Sequence, residues 1–207
     1  KNDIKKIVIE KEITSIGTNN FAFLPNLENI TFEENSQLKI IGRQAFSNSG
    51  FTNITIPASV TTIEEGAFLG CTSLTSITIP SSVNSIGAYA FSACTSLTSI
   101  TLPSSVTSIE NRAFFYCTNL TTVTMESANP PTLEELVFLN TSLNTISVPT
   151  TALSAYQHSD SSKGWDNYKS KLAIGGDCGA EGHESDVKWA FKPATGTLTI
   201  SGTGDMK

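Results

Sequence analysis

The sequence predicts a solenoid: a right-handed stack of parallel β-strands joined by short 3₁₀ or helical turns, β-dominated within the α/β class. Three observations carry this. The string Leu74-Thr-Ser-Ile-Thr-Ile-Pro80 returns as Leu97-Thr-Ser-Ile-Thr-Leu-Pro103 and, loosened, as Leu120-Thr-Thr-Val-Thr-Met-Glu126, each 23 residues after the last. A fixed period in this range marks a repeat architecture, in which each unit buries its apolar side only against its neighbours. The wider apolar pattern Leu74, Ile77, Ile79, Val83, Ile86, Phe91 and Cys94 also recurs from Ile4 to Val148. Within each copy, apolar residues alternate with Thr and Ser, the period of a strand with one buried face.

Each element of the repeat has a local reason. The I-x-I core is the strand, and seven such strands fit between residues 1 and 149, the last at Ile146 and Val148. Pro80 and Pro103 follow the strand, where a missing N–H ends a ladder without breaking it. The V-x-x-I-G piece, as in Val83–Gly87, is a second short extended segment whose Gly suits a turn with positive φ. The Ala-Phe segment that follows, such as residues 88–93, reads as one turn of 3₁₀ or α helix. Helix content is therefore low. Strands of successive turns stack at ~4.8 Å, which sets Phe21, Phe46, Phe68, Phe91 and Phe114 one above the other as a core spine. The pattern takes a two-residue insertion near Glu33–Gln37 and loses its second half at Asn129-Pro-Pro131.

Composition narrows the function classes. Only 15% of the 207 residues are charged, against about 25% in typical domains, and Ser and Thr together make up about a quarter. The net charge of −6 gives no electrostatic footing for nucleic acid. No run approaches the length of a membrane span. Beginning at Lys1 without Met, the chain is expected to be a segment of a longer protein.

Cys71, Cys94 and Cys117 occupy one repeat position, with Leu24 and Ser49 in the earlier turns. Stacked turns bring them within disulfide range, but the side chains point the same way. The favoured reading is a column of buried small residues; disulfides and metal ligation are the alternatives, the latter disfavoured because no His shares the column. Cys178 stands alone.

The pattern L-x-x-I-x-I-P-x-S-V-x-x-I-x-x-x-A-F-x-x-C over residues 4–149 resembles the BspA-like leucine-rich repeat family. Two further stretches strengthen the resemblance. Val148–Tyr156 followed by Gly164–Tyr168 is similar to that family's closing segment, so that residues 150–174 form a C-terminal cap with Leu153, Tyr156, Trp165 and Tyr168 over the last core layer. Residues 175–207 read as a β-hairpin tail, Trp189 and Phe191 on one strand, Leu198 and Ile200 on the other, with the turn at Lys192–Gly196. A module boundary falls near Ile174–Gly176, and the tail either begins a following module or folds onto an uncovered first turn, its own or another copy's. The resemblance implies an exported or surface-anchored bacterial protein; some members of the family are linked to adhesion, which is the use expected here. It implies no cofactor.

The candidate ligand surface is the outward face of the strands: Asn53, Ser76, Ser99 and Thr122 in one column, Thr55, Thr78, Thr101 and Thr124 in the next, continuing to Thr145 and Ser147. These are also simply good solvent-facing strand residues. The irregular pieces Glu33–Gln37 and Ser127–Leu136 are the other recognition candidates. Catalysis has little to stand on. His158 lies near Asp160 in a Ser-rich loop and His183 near Cys178 in a Gly-rich one, and neither has the partners of a triad or a metal site. The chain therefore reads as a non-catalytic module that binds an extracellular protein or glycan. The alternative is a rigid spacer presenting other domains, and tail-mediated self-association is a further expectation.

Overall fold

The computed structural model describes residues 3–177, 187–192 and 197–202, with side chains as far as residue 174. In chain order the strands are β1 (Lys6–Ile9), β2 (Ser15–Ile16), β3 (Asn29–Phe32), β4 (Ile40–Ile41), β5 (Asn53–Thr55), β6 (Thr62–Ile63), β7 (Ser76–Thr78) and β8 (Ser85–Ile86). They continue as β9 (Ser99–Leu102), β10 (Ser108–Ile109), β11 (Thr122–Met125), β12 (Thr132–Leu133) and β13 (Thr145–Val148). After these come α1 (Leu153–Gln157), two 3₁₀ segments (Ser161–Lys163 and Asp166–Lys171), β14 (Leu172–Asp177), β15 (Val187–Lys192) and β16 (Thr197–Gly202).

Each repeat contributes one long and one short rung. The short rungs β2, β4, β6, β8, β10 and β12 form one unbroken parallel sheet. The seven long rungs, β1 to β13 by odd numbers, stack in the same order, with Ile54 opposite Ile77 and Ile100 opposite Val123. Their ladder is hydrogen-bonded from β1 to β3, from β5 to β7 and from β9 through β13. Between β3 and β5, and between β7 and β9, the strands lie side by side without ladder pairing.

The Ala-Phe segment, read from the sequence as a turn of helix, is instead a run of tight turns that makes a third line of contacts along the stack. Phe46 N donates to Ala67 O at 2.9 Å, Phe68 N to Ala90 O at 2.8 Å and Phe91 N to Ala113 O at 2.8 Å. Intervening N–H groups close turns three residues back, as Leu69 N does on Gly66 O. Two residues per turn adopt positive φ to allow this: Gln44 and Asn48, Gly66 and Gly70, Tyr89 and Ala93, Arg112 and Tyr116, Leu136 and Asn140. A helix would use its N–H groups internally. Alternating them between the turn and the next repeat satisfies the same groups and ties neighbouring repeats together.

The phenylalanine spine is present and longer than the sequence pattern indicates. Ring centroids of Phe46, Phe68, Phe91 and Phe114 follow one another at 5.6, 5.3 and 5.3 Å, nearly parallel. The stack continues to Phe138 at 5.4 Å. The repeat does not end at Asn129-Pro-Pro131: Leu133 pairs with Ile109 in β12, and Val137-Phe138 take the places of Ala and Phe.

The Cys column is three free, buried thiols. Cys71, Cys94 and Cys117 each donate to a Phe carbonyl of the preceding repeat, at 3.1, 3.3 and 3.0 Å. Ser49 makes the same bond to Phe21 O at 2.8 Å. From Ser49 to Cys117 the position therefore carries a small side chain with a donor, whereas Leu24 in the first repeat has none. Burial pushes the Cys71 and Cys117 thiols up to about 12, and raises Cys94 as well. A protonated thiol is the form that can donate.

The cap closes the open end of the core. Tyr168 meets the Phe138 ring edge-on at 5.4 Å, ending the spine, and Tyr156 packs against Trp165 at 4.9 Å, also edge-on. Both Tyr156 and Trp165 are fully buried. Beyond the cap, β14 pairs in parallel with β13, Ile146 opposite Leu172, and antiparallel with β15, which pairs antiparallel with β16. The eighth parallel rung therefore runs through residues 174–176, and the strands of the expected hairpin join the same sheet. Cys178, His183 and the turn residues 193–196 lie outside the described residues, as do the side chains of Trp189, Phe191, Leu198 and Ile200.

Candidate functional site

The register of the long rungs builds the two polar columns. Asn53 faces Ser76 and Thr55 faces Thr78; Ser99 faces Thr122 and Thr101 faces Thr124; Thr122 and Thr124 face Thr145 and Ser147. Side chains alternate across a strand, so Ile54, Ile100 and Val123 go into the core while these hydroxyls and amides face out. Asn53, Thr55, Ser76, Thr78, Ser99 and Thr101 are exposed, whereas Thr122 and Thr124 are half-buried and Ser147 is buried. The accessible part of the face is thus its first two thirds, and it closes where the sheet runs on into β14.

The unpaired steps in the ladder are where this face becomes concave. A groove of about 640 Å³ lies over the β3–β5 step, lined by Asn29, Thr31, Phe32, Asn53, Thr55 and Ser59 among others, with Glu33, Asn35 and Ser36 of the insertion as one wall. A second, of about 330 Å³, lies over the β7–β9 step, lined by Ser76, Thr78, Ser99, Thr101, Pro103 and Glu126. The structure therefore joins two separate sequence candidates, the polar columns and the Glu33–Gln37 insertion, in one groove. The Glu33 carboxylate is already engaged, accepting the Lys11 N–H at 3.0 Å.

Asn29, Thr31 and Ser59 lie outside the candidate ligand surface read from the sequence. Ser59 had a readable signal. Ser105 donates to Val83 O at 2.6 Å and Ser82 to Val60 O, each reaching the preceding repeat. The counterpart acceptor for Ser59 is Leu38 O, one repeat back across the insertion. That bond is not made, and the buried Ser59 hydroxyl has no protein partner. A buried hydroxyl left without a bond is costly unless something else meets it.

Ser127–Leu136 turns out to be a docking segment for the cap. Tyr156 Oη donates to Ser127 O at 3.0 Å, Trp165 Nε1 to Pro131 O at 2.7 Å and Lys163 Nζ to Pro130 O at 3.0 Å. Pro130 and Pro131 are buried. Prolines leave carbonyls without competing N–H groups, which suits a surface that must accept three side-chain donors.

The remaining chemistry-bearing residues do not converge. His158 is exposed at the end of α1, its Nδ1 2.9 Å from Ser154 O. Asp160 caps the following 3₁₀ segment, accepting the Ser162 N–H at 2.8 Å, and this bond lowers its pKa. Among the described residues no cluster of three or more His, Cys, Asp or Glu is placed to hold a metal ion, and no helix is long and apolar enough to cross a membrane.

The family model for the BspA-type leucine-rich repeat region matches six copies, over residues 1–64 and 39–163. The chain belongs to the BspA-type leucine-rich repeat family. Among solved structures, this BspA-type chain is similar to a leucine-rich repeat protein from Bacteroides ovatus, at 32% identity and a TM-score of 0.61, over 68% of this chain and 36% of that one. It thus spans about a third of that protein's length. A leucine-rich cell surface protein from Faecalibacterium prausnitzii matches at 18% identity and a TM-score of 0.38, over 74% of this chain and 62% of that one. The pneumococcal vaccine antigen PcpA matches at 18% and 0.32, over 71% and 58%. No curated protein matches.

Proposed function

We propose that this BspA-type repeat segment is a non-catalytic binding module of an exported or cell-surface bacterial protein, recognising an extracellular protein or glycan through the outward face of β3 to β9. The observation that carries the reading is the 640 Å³ groove over the β3–β5 step. Its size falls in the range of ligand sites. Its wall is polar and nearly uncharged, and it holds a buried hydroxyl without a protein partner. Adhesion is the use that fits such a face on an exported protein.

The test is binding of the purified chain to an array of extracellular-matrix proteins and glycans, beside Asn53→Lys/Thr55→Lys and Ser99→Lys/Thr101→Lys variants with unchanged circular dichroism. Loss of binding in the folded first variant supports the groove, and loss in the second alone moves the site to the β7–β9 step. Retention of binding in both variants removes the strand face from the proposal.

A second reading, a rigid spacer, is favoured by the three lines of contact between neighbouring repeats and by the continuation of the sheet into β14, β15 and β16. It predicts no binding to the array and no effect of either variant. In that reading the tail either starts a following module or mediates self-association, and sedimentation of the chain with and without residues 175–207 distinguishes the two.

A further inference from the structure

Opposite the strand face, the turn side of the repeats carries an aromatic cluster built around one arginine. Arg112 Nη1 donates to Tyr89 Oη at 2.7 Å. The guanidinium lies 5.7 Å from the Tyr89 ring centroid and 5.9 Å from that of Phe115. Phe115 in turn contacts Tyr116, at 5.7 Å between centroids. Tyr116 is 50% exposed, and Leu136 and Leu139 of the next repeat are exposed beside it. The backbones adjoin: Arg112 N donates to Glu135 O and Tyr116 N to Leu139 O.

Tyr89, Arg112, Tyr116 and Leu136 stand at the positive-φ positions of the turns, which elsewhere carry residues as different as Gly66, Gly70, Gln44 and Phe23. Two features separate this cluster from ordinary surface packing. Arg112 has no carboxylate partner among the described residues, whereas Arg43 pairs with Glu65 at 3.0 Å. Its hydrogen bonds go to the neutral Tyr89 and Asn111 oxygens, which hold the fork in place without neutralising it.

We propose that Tyr89, Arg112, Phe115 and Tyr116 form a second binding site, for a glycan bearing an isolated carboxylate sugar. The guanidinium fork pairs with the carboxylate, and the exposed Tyr116 ring takes the apolar face of the sugar. A polyanion is disfavoured because Glu134 and Glu135 are exposed alongside. A protein face is disfavoured by size. Stable protein interfaces enlist roughly 20–30 residues a side, and the flanking repeats revert to Asn48, Gly70, Ala93 and Asn140 at these positions.

The test is titration calorimetry of the 207-residue chain with 3′-sialyllactose, methyl glucuronide and lactose, and with a Glu-rich decapeptide. At least one carboxylated saccharide is expected to bind, with lactose weaker by about tenfold or more. Arg112→Gln and Tyr116→Ala are each expected to weaken binding by about tenfold with unchanged circular dichroism, while Lys5→Gln, at an exposed ion pair of the first repeat, leaves it intact. Amide shift mapping on the unmutated chain gives a readout independent of variant folding: shifts centred on residues 89 and 112–116 support the site. Failure of both acidic saccharides, binding without those shifts, or preferential binding of the decapeptide there would overturn it. Whichever acidic saccharide binds names the sugar class.

Discussion

Gly50 shows how little room the repeat leaves at single positions. Its N–H donates to Leu24 O at 3.0 Å, and a Cβ there would lie 2.0 Å from Pro25 O. The neighbour is backbone and cannot swing aside. Gly50→Ala is expected to cost at least ~1–3 kcal/mol, read as a lower urea midpoint; an unchanged midpoint would show that the first and second repeats separate easily. The thiol column makes a chemical prediction. Cys71, Cys94 and Cys117 are buried with raised pKa values, so iodoacetamide at pH 8 should label none of them until the chain is unfolded. A thiol that stays protonated in the fold but ionises near pH 9 when unfolded contributes stability that is complete below that pH and is lost as pH climbs towards 12. The urea midpoint should therefore fall as pH rises above about 9. A midpoint that stays level through pH 10.5 would contradict the burial of these groups.

Among the elements, the cap and the spine fail differently when damaged. Trp165 is fully buried and donates to Pro131 O. Trp165→Phe keeps most of the apolar volume but leaves that carbonyl unpaired, an expected cost of ~1–3 kcal/mol. Trp165→Ala should cost ~3–5 kcal/mol and loosen β12 first, which hydrogen exchange of the Thr132 and Leu133 amides would report. Phe91→Ala removes a ring stacked on both sides, at 5.3 Å from Phe68 and from Phe114. It should also cost ~3–5 kcal/mol, but with protection lost around β6 to β10 while the cap stays closed. Equal loss of protection throughout after either change would mean that the elements do not open separately. The turn segments explain why repeats tolerate such different residues. Their fixed content is main-chain, an N–H to the next repeat and two positive-φ residues, so the outward side chains are free to vary.

At the scale of the whole molecule, stability is close to a sum over neighbouring repeats. Deleting residues 97–119 removes one period and joins Cys94-Thr-Ser96 to Leu120, which keeps the strand register. The shortened chain is expected to fold, with a strand-rich circular dichroism spectrum and a lower melting temperature, whereas deletion of 12 of those residues should unfold it. If both deletions unfold, the repeats are more interdependent than their contacts indicate. The same one-dimensional order places the two proposed binding surfaces on different sides of each repeat, so variants on the strand face and on the turn side should act independently.

The sequence by itself determined the period, the strands, the core and the spine, because burial repeats with the chain and each Ile, Val or Phe answers to one neighbour before it and one after. The cap at Tyr156, Trp165 and Tyr168 was legible through the resemblance to the family's closing segment rather than through the repeat itself. Only the tertiary structure decided which stretches work together. The Glu33–Gln37 insertion and the Asn53 and Thr55 rungs are separated in sequence and share one groove. The Asn129-Pro-Pro131 segment, which looks like a breakdown of the pattern, accepts hydrogen bonds from Lys163 and Trp165, 33 and 34 residues later. Arg112 is one of two arginines in the chain, and it directly precedes an Ala-Phe pair where Arg43 stands one residue earlier. The sequence does not show which residue of a neighbouring repeat each one meets, Tyr89 in one case and Glu65 in the other. Local propensity fixes an element, but contacts across a repeat depend on which residue of the next turn lands at the same height.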